Sequence, residues 1–70
     1  MANITANMAG TIINVLVQPG DTVSAGQDVI VLESMKMEVP VQTDTDGKVA
    51  EVKVNIGDFV NEGDVILVLE

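Results

Sequence analysis

The chain has 70 residues, no Cys, His, Trp or Tyr, one aromatic side chain (Phe59), and a formal net charge of −8 from three basic and eleven acidic side chains. Those absences remove the thiolate nucleophile, the imidazole base, the ordinary zinc site and any disulfide framework, so an enzyme is the weakest reading. The charge opposes nucleic acid and anionic membranes, and a single aromatic residue makes no stacking platform, so neither partner is expected. No apolar run reaches the length of a membrane span and no signal peptide opens the chain; the expected location is cytoplasmic.

A chain this short makes one domain, residues 1–70, and buries only about 60% of its extended-chain surface. Apolar packing alone must hold it. Its hydrophobic fraction is 47%, carried largely by Val, Ile and Leu, which favours strands.

Ala2–Ala6 reads as a first strand. Thr11–Gln18 reads as a second, with Ile13, Val15 and Val17 as its expected inward set. A turn at Pro19-Gly20-Asp21, an extended piece around Val23 and a turn at Ala25-Gly26 follow. Val29–Leu32 is an apolar strand, whose continuous run points to a sandwich core. Val39–Thr43 is the next strand. Asp44-Thr45-Asp46-Gly47 resembles a fragment of a calcium loop, but the later acidic ligands are missing, and it reads as a solvated turn. In Lys48–Asn55, Glu51 and Lys53 alternate with the inward set Ala50, Val52 and Val54. A turn at Ile56-Gly57-Asp58, an extended piece at Val60, a turn at Glu62-Gly63 and an apolar strand Val65–Leu69 close the chain.

Much of this order occurs twice. Gly10–Glu33 aligns with Gly47–Glu70 without a gap, at an offset of 37. The identical pairs are Gly10/Gly47, Val15/Val52, Val17/Val54, Gly20/Gly57, Asp21/Asp58, Val23/Val60, Gly26/Gly63, Val31/Val68, Leu32/Leu69 and Glu33/Glu70. Two similar halves related by a pseudo-two-fold axis are expected. Because Asp21 and Asp58 each follow a turn glycine, they read as turn residues rather than paired acid–base carboxylates. The expected fold is all-β: a flattened barrel or sandwich of two small sheets.

Between the halves lies Glu33-Ser34-Met35-Lys36-Met37-Glu38, where the chain must reverse between two strands. Two-residue reversals favour Asn-Gly, Asp-Gly or Gly-Gly, because they need φ > 0. Met and Lys have no such preference, and a departure from local consistency often marks a functional site. Flexible, polarizable Met35 and Met37 suit an adaptable recognition surface around Lys36. A solvated lysine titrates near 10.4, so on the order of one in 2,500 is neutral at pH 7. Glu33 and Glu38 are close enough in sequence to favour the charged form. Such an amine is a poor nucleophile alone; it fits the substrate of a modifying enzyme. By the repeat, this tip and the chain termini lie at opposite ends of the body.

Glu33–Glu38, followed by Val39, closely resembles the attachment site of the biotinyl/lipoyl carrier domain family. Met8-Ala9-Gly10, Gly20-Asp21 with Val23 and Gly26, and Gly57-Asp58 with Val60 and Gly63 resemble that family too, so the likeness covers roughly Ile4–Glu70. The resemblance implies two four-stranded antiparallel sheets. It also implies Lys36 as the acceptor of biotin in amide linkage. A biotin protein ligase would supply biotinyl-adenylate, with Met35, Met37, Glu33, Ser34 and Glu38 as recognition residues. The arm would carry carboxyl between a biotin carboxylase and a carboxyltransferase. Ser34 stands where the family most often has Ala, which leaves ligase preference open. Glu33, three residues before the lysine, is shared with lipoyl domains, whose lysine usually follows Asp rather than Met35. Biotin is favoured. The alternatives are lipoate, attached by a lipoylating enzyme for 2-oxoacid dehydrogenase or glycine cleavage systems, and an unmodified interaction module using the Met35/Met37 tip. Gln18–Val23 leaves no room for a protruding thumb. The chain is expected to be a monomer and, with no Ala/Pro-rich linker ahead of it, a free-standing carrier.

Overall fold

The repeat sets the topology. In the computed structural model, which describes Met1–Glu70, β1 spans Ala2–Thr5, β2 Gly10–Val15, β3 Thr22–Val23 and β4 Asp28–Ser34. The same series returns as β5 (Met37–Gln42), β6 (Gly47–Val52), β7 (Phe59–Val60) and β8 (Val65–Leu69). No helix is present. Two four-stranded antiparallel sheets form, in the orders β1-β8-β6-β3 and β5-β4-β2-β7. Each sheet takes two strands from each series, and the repeat exchanges one sheet for the other. Ala2 opposite Leu69 corresponds to Val39 opposite Leu32, and Val23 opposite Gly47 to Val60 opposite Gly10.

Between the sheets, 15 apolar residues form one buried cluster, including Ile12, Ile30 and Leu32 with their counterparts Val49, Leu67 and Leu69. Full burial of each such side chain contributes about 1.5–3 kcal/mol, and this is the main term available to a chain without disulfides. The turns repeat as closely. Gly20 and Gly57 both take φ 98°, a left-handed value that glycine reaches without penalty. The Asp21 carboxylate accepts the Gln18 N–H at 3.0 Å, and the Asp58 carboxylate accepts the Asn55 N–H at 2.8 Å. Both aspartates are turn braces, and Gln18–Val23 is a tight connection with no thumb. Asp46 in the Asp44–Gly47 turn accepts the Ala25 N–H at 2.7 Å, tying this turn to the one at Ala25-Gly26.

One expectation fails in the same way in both halves. Ile13 does not head the inward set of β2; Ile12 does. Partners run Ile12 to Leu32, then Asn14 to Val31, and likewise Val49 to Leu69, then Glu51 to Val68. Ile13 and Ala50 are therefore extra residues at β-bulges. Each bulge shifts the inside–outside alternation by one: Ile12 and Val49 are fully buried, while Ile13 and Ala50 are half-buried. A strict period of two cannot register an inserted residue. The ladder pairing also ends at Val15 and Val52, earlier than Gln18 and Asn55.

β5 then fixes where the ends lie. Met37 to Gln42 spans about 17 Å at the usual strand rise. The following turn delivers the chain to Lys48, whose carbonyl accepts the Glu70 N–H at 2.8 Å. The Met35-Lys36 tip and the C-terminus thus sit at opposite ends of β5, in a body 31 Å long.

Gly10 and Gly47 hold equivalent places with unequal clearance. A Cβ on Gly10 would meet the Glu33 carbonyl oxygen at 2.6 Å, whereas one on Gly47 would meet only Leu69 side-chain atoms, from 3.2 Å. Backbone cannot yield as a side chain can. Gly10→Ala is therefore expected to cost about 1–3 kcal/mol in urea unfolding followed by far-UV circular dichroism, and Gly47→Ala clearly less. Equal losses would contradict this packing.

Candidate functional site

Ser34 and Met37 form the last pair of the β4–β5 ladder, so Met35 and Lys36 alone make the reversal. Their φ angles are 53° and 64°, and they are the only non-glycine residues with positive φ. Positive φ at both central positions is the type I′ pattern, which suits the right-handed twist of the flanking strands. For side chains other than Gly, Asn or Asp this costs on the order of 1 kcal/mol or more per residue. The stem below compensates. Leu32 lies opposite Val39 and Ile30 opposite Val41, and Ile30, Leu32 and Val41 are buried. On the other side, Gly10 lets β2 run tight against the Glu33 carbonyl.

The geometry gathers all the residues singled out in the sequence, in distinct roles. Lys36 is exposed at the apex and makes neither a hydrogen bond nor an ion pair; the one ion pair in the molecule is Lys53–Glu51, at 3.3 Å. Met35 is 92% exposed and Met37 66%, so the core holds neither. Ser34 and Met37 continue the inward-facing alternation of Leu32 and Val39, at the rim of the core. Glu33 and Glu38 face each other across the strands on the outer face, both exposed. Their proximity to Lys36 in sequence does not become a salt bridge. Lys48 lies within β6 and Lys53 just past its end, so Lys36 is the lysine set on a two-residue reversal.

Gly10 has a positioning role that the sequence reading did not assign, although its identity with Gly47 across the repeat was the available signal. The widest surface cleft lies elsewhere, along Val15, Val17, Val52 and Val54, and no titratable side chain lines it. What distinguishes Lys36 among the exposed amines is its place on a two-residue turn at positive φ.

Comparison with known proteins agrees with this geometry. The family model described as "Biotin-requiring enzyme" matches residues 2–69. The chain belongs to this biotin/lipoyl attachment family. It is 53% identical, over 66 residues, to the biotin/lipoyl attachment protein of Bacillus subtilis, covering 94% of this chain and 90% of that one. It is 37% identical to the biotinylated protein TB7.3 homolog of Mycobacterium leprae, covering 96% and 94%. Among solved structures, urea carboxylase of Kluyveromyces lactis superposes with a TM-score of 0.91 at 32% identity, over 99% of this chain but 6% of that one.

If the turn stores strain, relieving it must show in stability. The double variant Met35→Asn, Lys36→Gly supplies the residues a type I′ turn prefers. It is expected to raise unfolding free energy by about 1–2 kcal/mol in urea titration. No gain, or a loss, would mean the tip is not strained.

Proposed function

We propose that this chain is a biotin carrier whose Lys36 amine is the attachment point. The observation that carries this reading is the presentation of Lys36: an unpaired primary amine at the apex of a two-residue turn, flanked by exposed Met35 and Met37. Family membership supplies the chemistry. A biotin protein ligase brings biotinyl-adenylate and removes the ammonium proton. The Lys36 nitrogen attacks the acyl carbon, an amide bond forms and AMP leaves. Met35, Met37, Glu33, Ser34 and Glu38 are the residues the ligase reads.

Once attached, biotin supplies the group that takes up carboxyl at a biotin carboxylase and releases it at a carboxyltransferase. The chain's own contribution is mechanical. The stem holds the attachment residue at one end of the body, and the exposed apex leaves the arm free to swing. Similarity to pyruvate carboxylase of Staphylococcus aureus, 39% identical over 99% of this chain and 6% of that one, supports carboxylases as the partner class. The chain acts as a monomer in the cytoplasm in this reading, and its net charge of −8 favours solubility and keeps copies apart. Lipoate is the competing cargo. The lipoyl domain of the Azotobacter vinelandii 2-oxoglutarate dehydrogenase complex shares the fold at a lower TM-score, 0.73, and 25% identity.

Incubation with biotin, ATP and a biotin protein ligase is expected to add the mass of one biotinyl group, and Lys36→Ala to abolish the addition. Label on Lys48 or Lys53 would overturn the site. A lipoyl adduct on protein isolated from its host would replace biotin with lipoate.

A further inference from the structure

The pseudo-symmetry allows one end of the molecule to serve as an internal control for the other. Across the tip-bearing sheet, one row of residues shares the outer face: Glu38 opposite Glu33, Glu33 opposite Thr11, and Thr11 opposite Phe59. Directly opposed residues of antiparallel strands point to the same side, and here the flanking inward positions Leu32, Ile12 and Val60 are buried. The counterpart row in the other sheet has Glu70 beside Lys48 and Lys48 opposite Thr22.

The two rows serve the same fold but differ in chemistry. Where the control row has cationic Lys48 as the backbone neighbour of Glu70, with no ion pair formed, the tip row has uncharged Thr11. Glu33 and Glu38 therefore stand in register with no cation in ion-pair range. Like charges directly opposite each other destabilise a sheet. Where the control row has Thr22, the tip row has the chain's only aromatic residue, and Phe59 is 64% exposed on a two-residue strand. Thr22 shows that the fold does not need an aromatic ring there. At about 4.8 Å per strand, the Phe59 backbone lies roughly 10 Å from that of Glu33, next to the turn.

We propose that this outer row is a docking surface for the enzyme that acylates Lys36, with Phe59 as its apolar anchor. The complementary surface presents an apolar pocket for the ring and cationic side chains opposite Glu33 and Glu38. Exposed aromatics that enter a partner's pocket are typical centres of binding energy. Uncompensated charge raises the encounter rate with a basic partner. The inference rests on the carrier reading above and adds Phe59, some strands away from the lysine, to what the enzyme reads.

Steady-state biotinylation kinetics of the full chain test it. Phe59→Thr installs the residue of the control row at an exposed site, and urea unfolding should confirm an unchanged fold. KM for the carrier is expected to rise about tenfold, with kcat within twofold of wild type. Added salt should lower kcat/KM of the wild type more steeply than that of Glu33→Gln, Glu38→Gln. Wild-type kcat/KM in Phe59→Thr would overturn the docking surface while leaving the carrier intact. Failure of the wild type to accept biotin would overturn both.

Discussion

Everything distinctive about this molecule depends on holding two residues, Met35 and Lys36, at positive φ in a turn they would not choose. A free peptide of this sequence would relax. In the folded chain, the alternative to strain is the loss of the β4–β5 ladder and of the burial of Ile30, Leu32 and Val41. That burial outweighs a turn penalty of a few kcal/mol. Close approach of Gly10 to the Glu33 carbonyl removes the slack through which the stem could twist. The strain is local and the restraint is distributed, and the apex side chains are exposed.

That division suits a carrier. Nothing in the molecule prepares Lys36 to react: no ion pair, no hydrogen bond and no cavity surround it. No contact of its side chain therefore sets Lys36 apart from the other lysines. Shape does distinguish them: a tight reversal with two thioethers at its flanks is a feature that neither Lys48 nor Lys53 shares.

Most of the architecture was legible because it is written twice. Turn glycines at Gly20/Gly57 and Gly26/Gly63, and apolar closing strands, made the strand count and their equivalence plain. The tip was legible for the opposite reason: Met-Lys is a poor turn sequence, and its misfit marked the two residues that the fold holds at positive φ. The bulges at Ile13 and Ala50 were not legible. Nothing in Thr-Ile-Ile-Asn-Val says that an extra residue is inserted, since the insertion shows only in the register of β2 against β4. Nor could charge proximity along the chain reveal that Glu33 and Glu38 turn toward each other's side of the sheet and leave Lys36 unpaired. Sequence separation gives reach, while strand alternation decides direction. The outer row ending in Phe59 required the register of four strands, which no local pattern contains.

The pairing of Ala2 with Leu69 reproduces that of Val39 with Leu32, so the entry and exit of the chain occupy the counterpart of the lysine corner. Topologically the molecule is a near-closed ring with two equivalent corners, one continuous and the other open. The continuous corner holds the Met35-Lys36 turn, and at the open one β1 and β8 lie side by side. A domain built this way can be spliced into a much longer polypeptide with both junctions side by side and its working end pointing away from the splice. The same body can then serve as a separate small protein or as a bead on a large synthetic machine without redesign of the far corner.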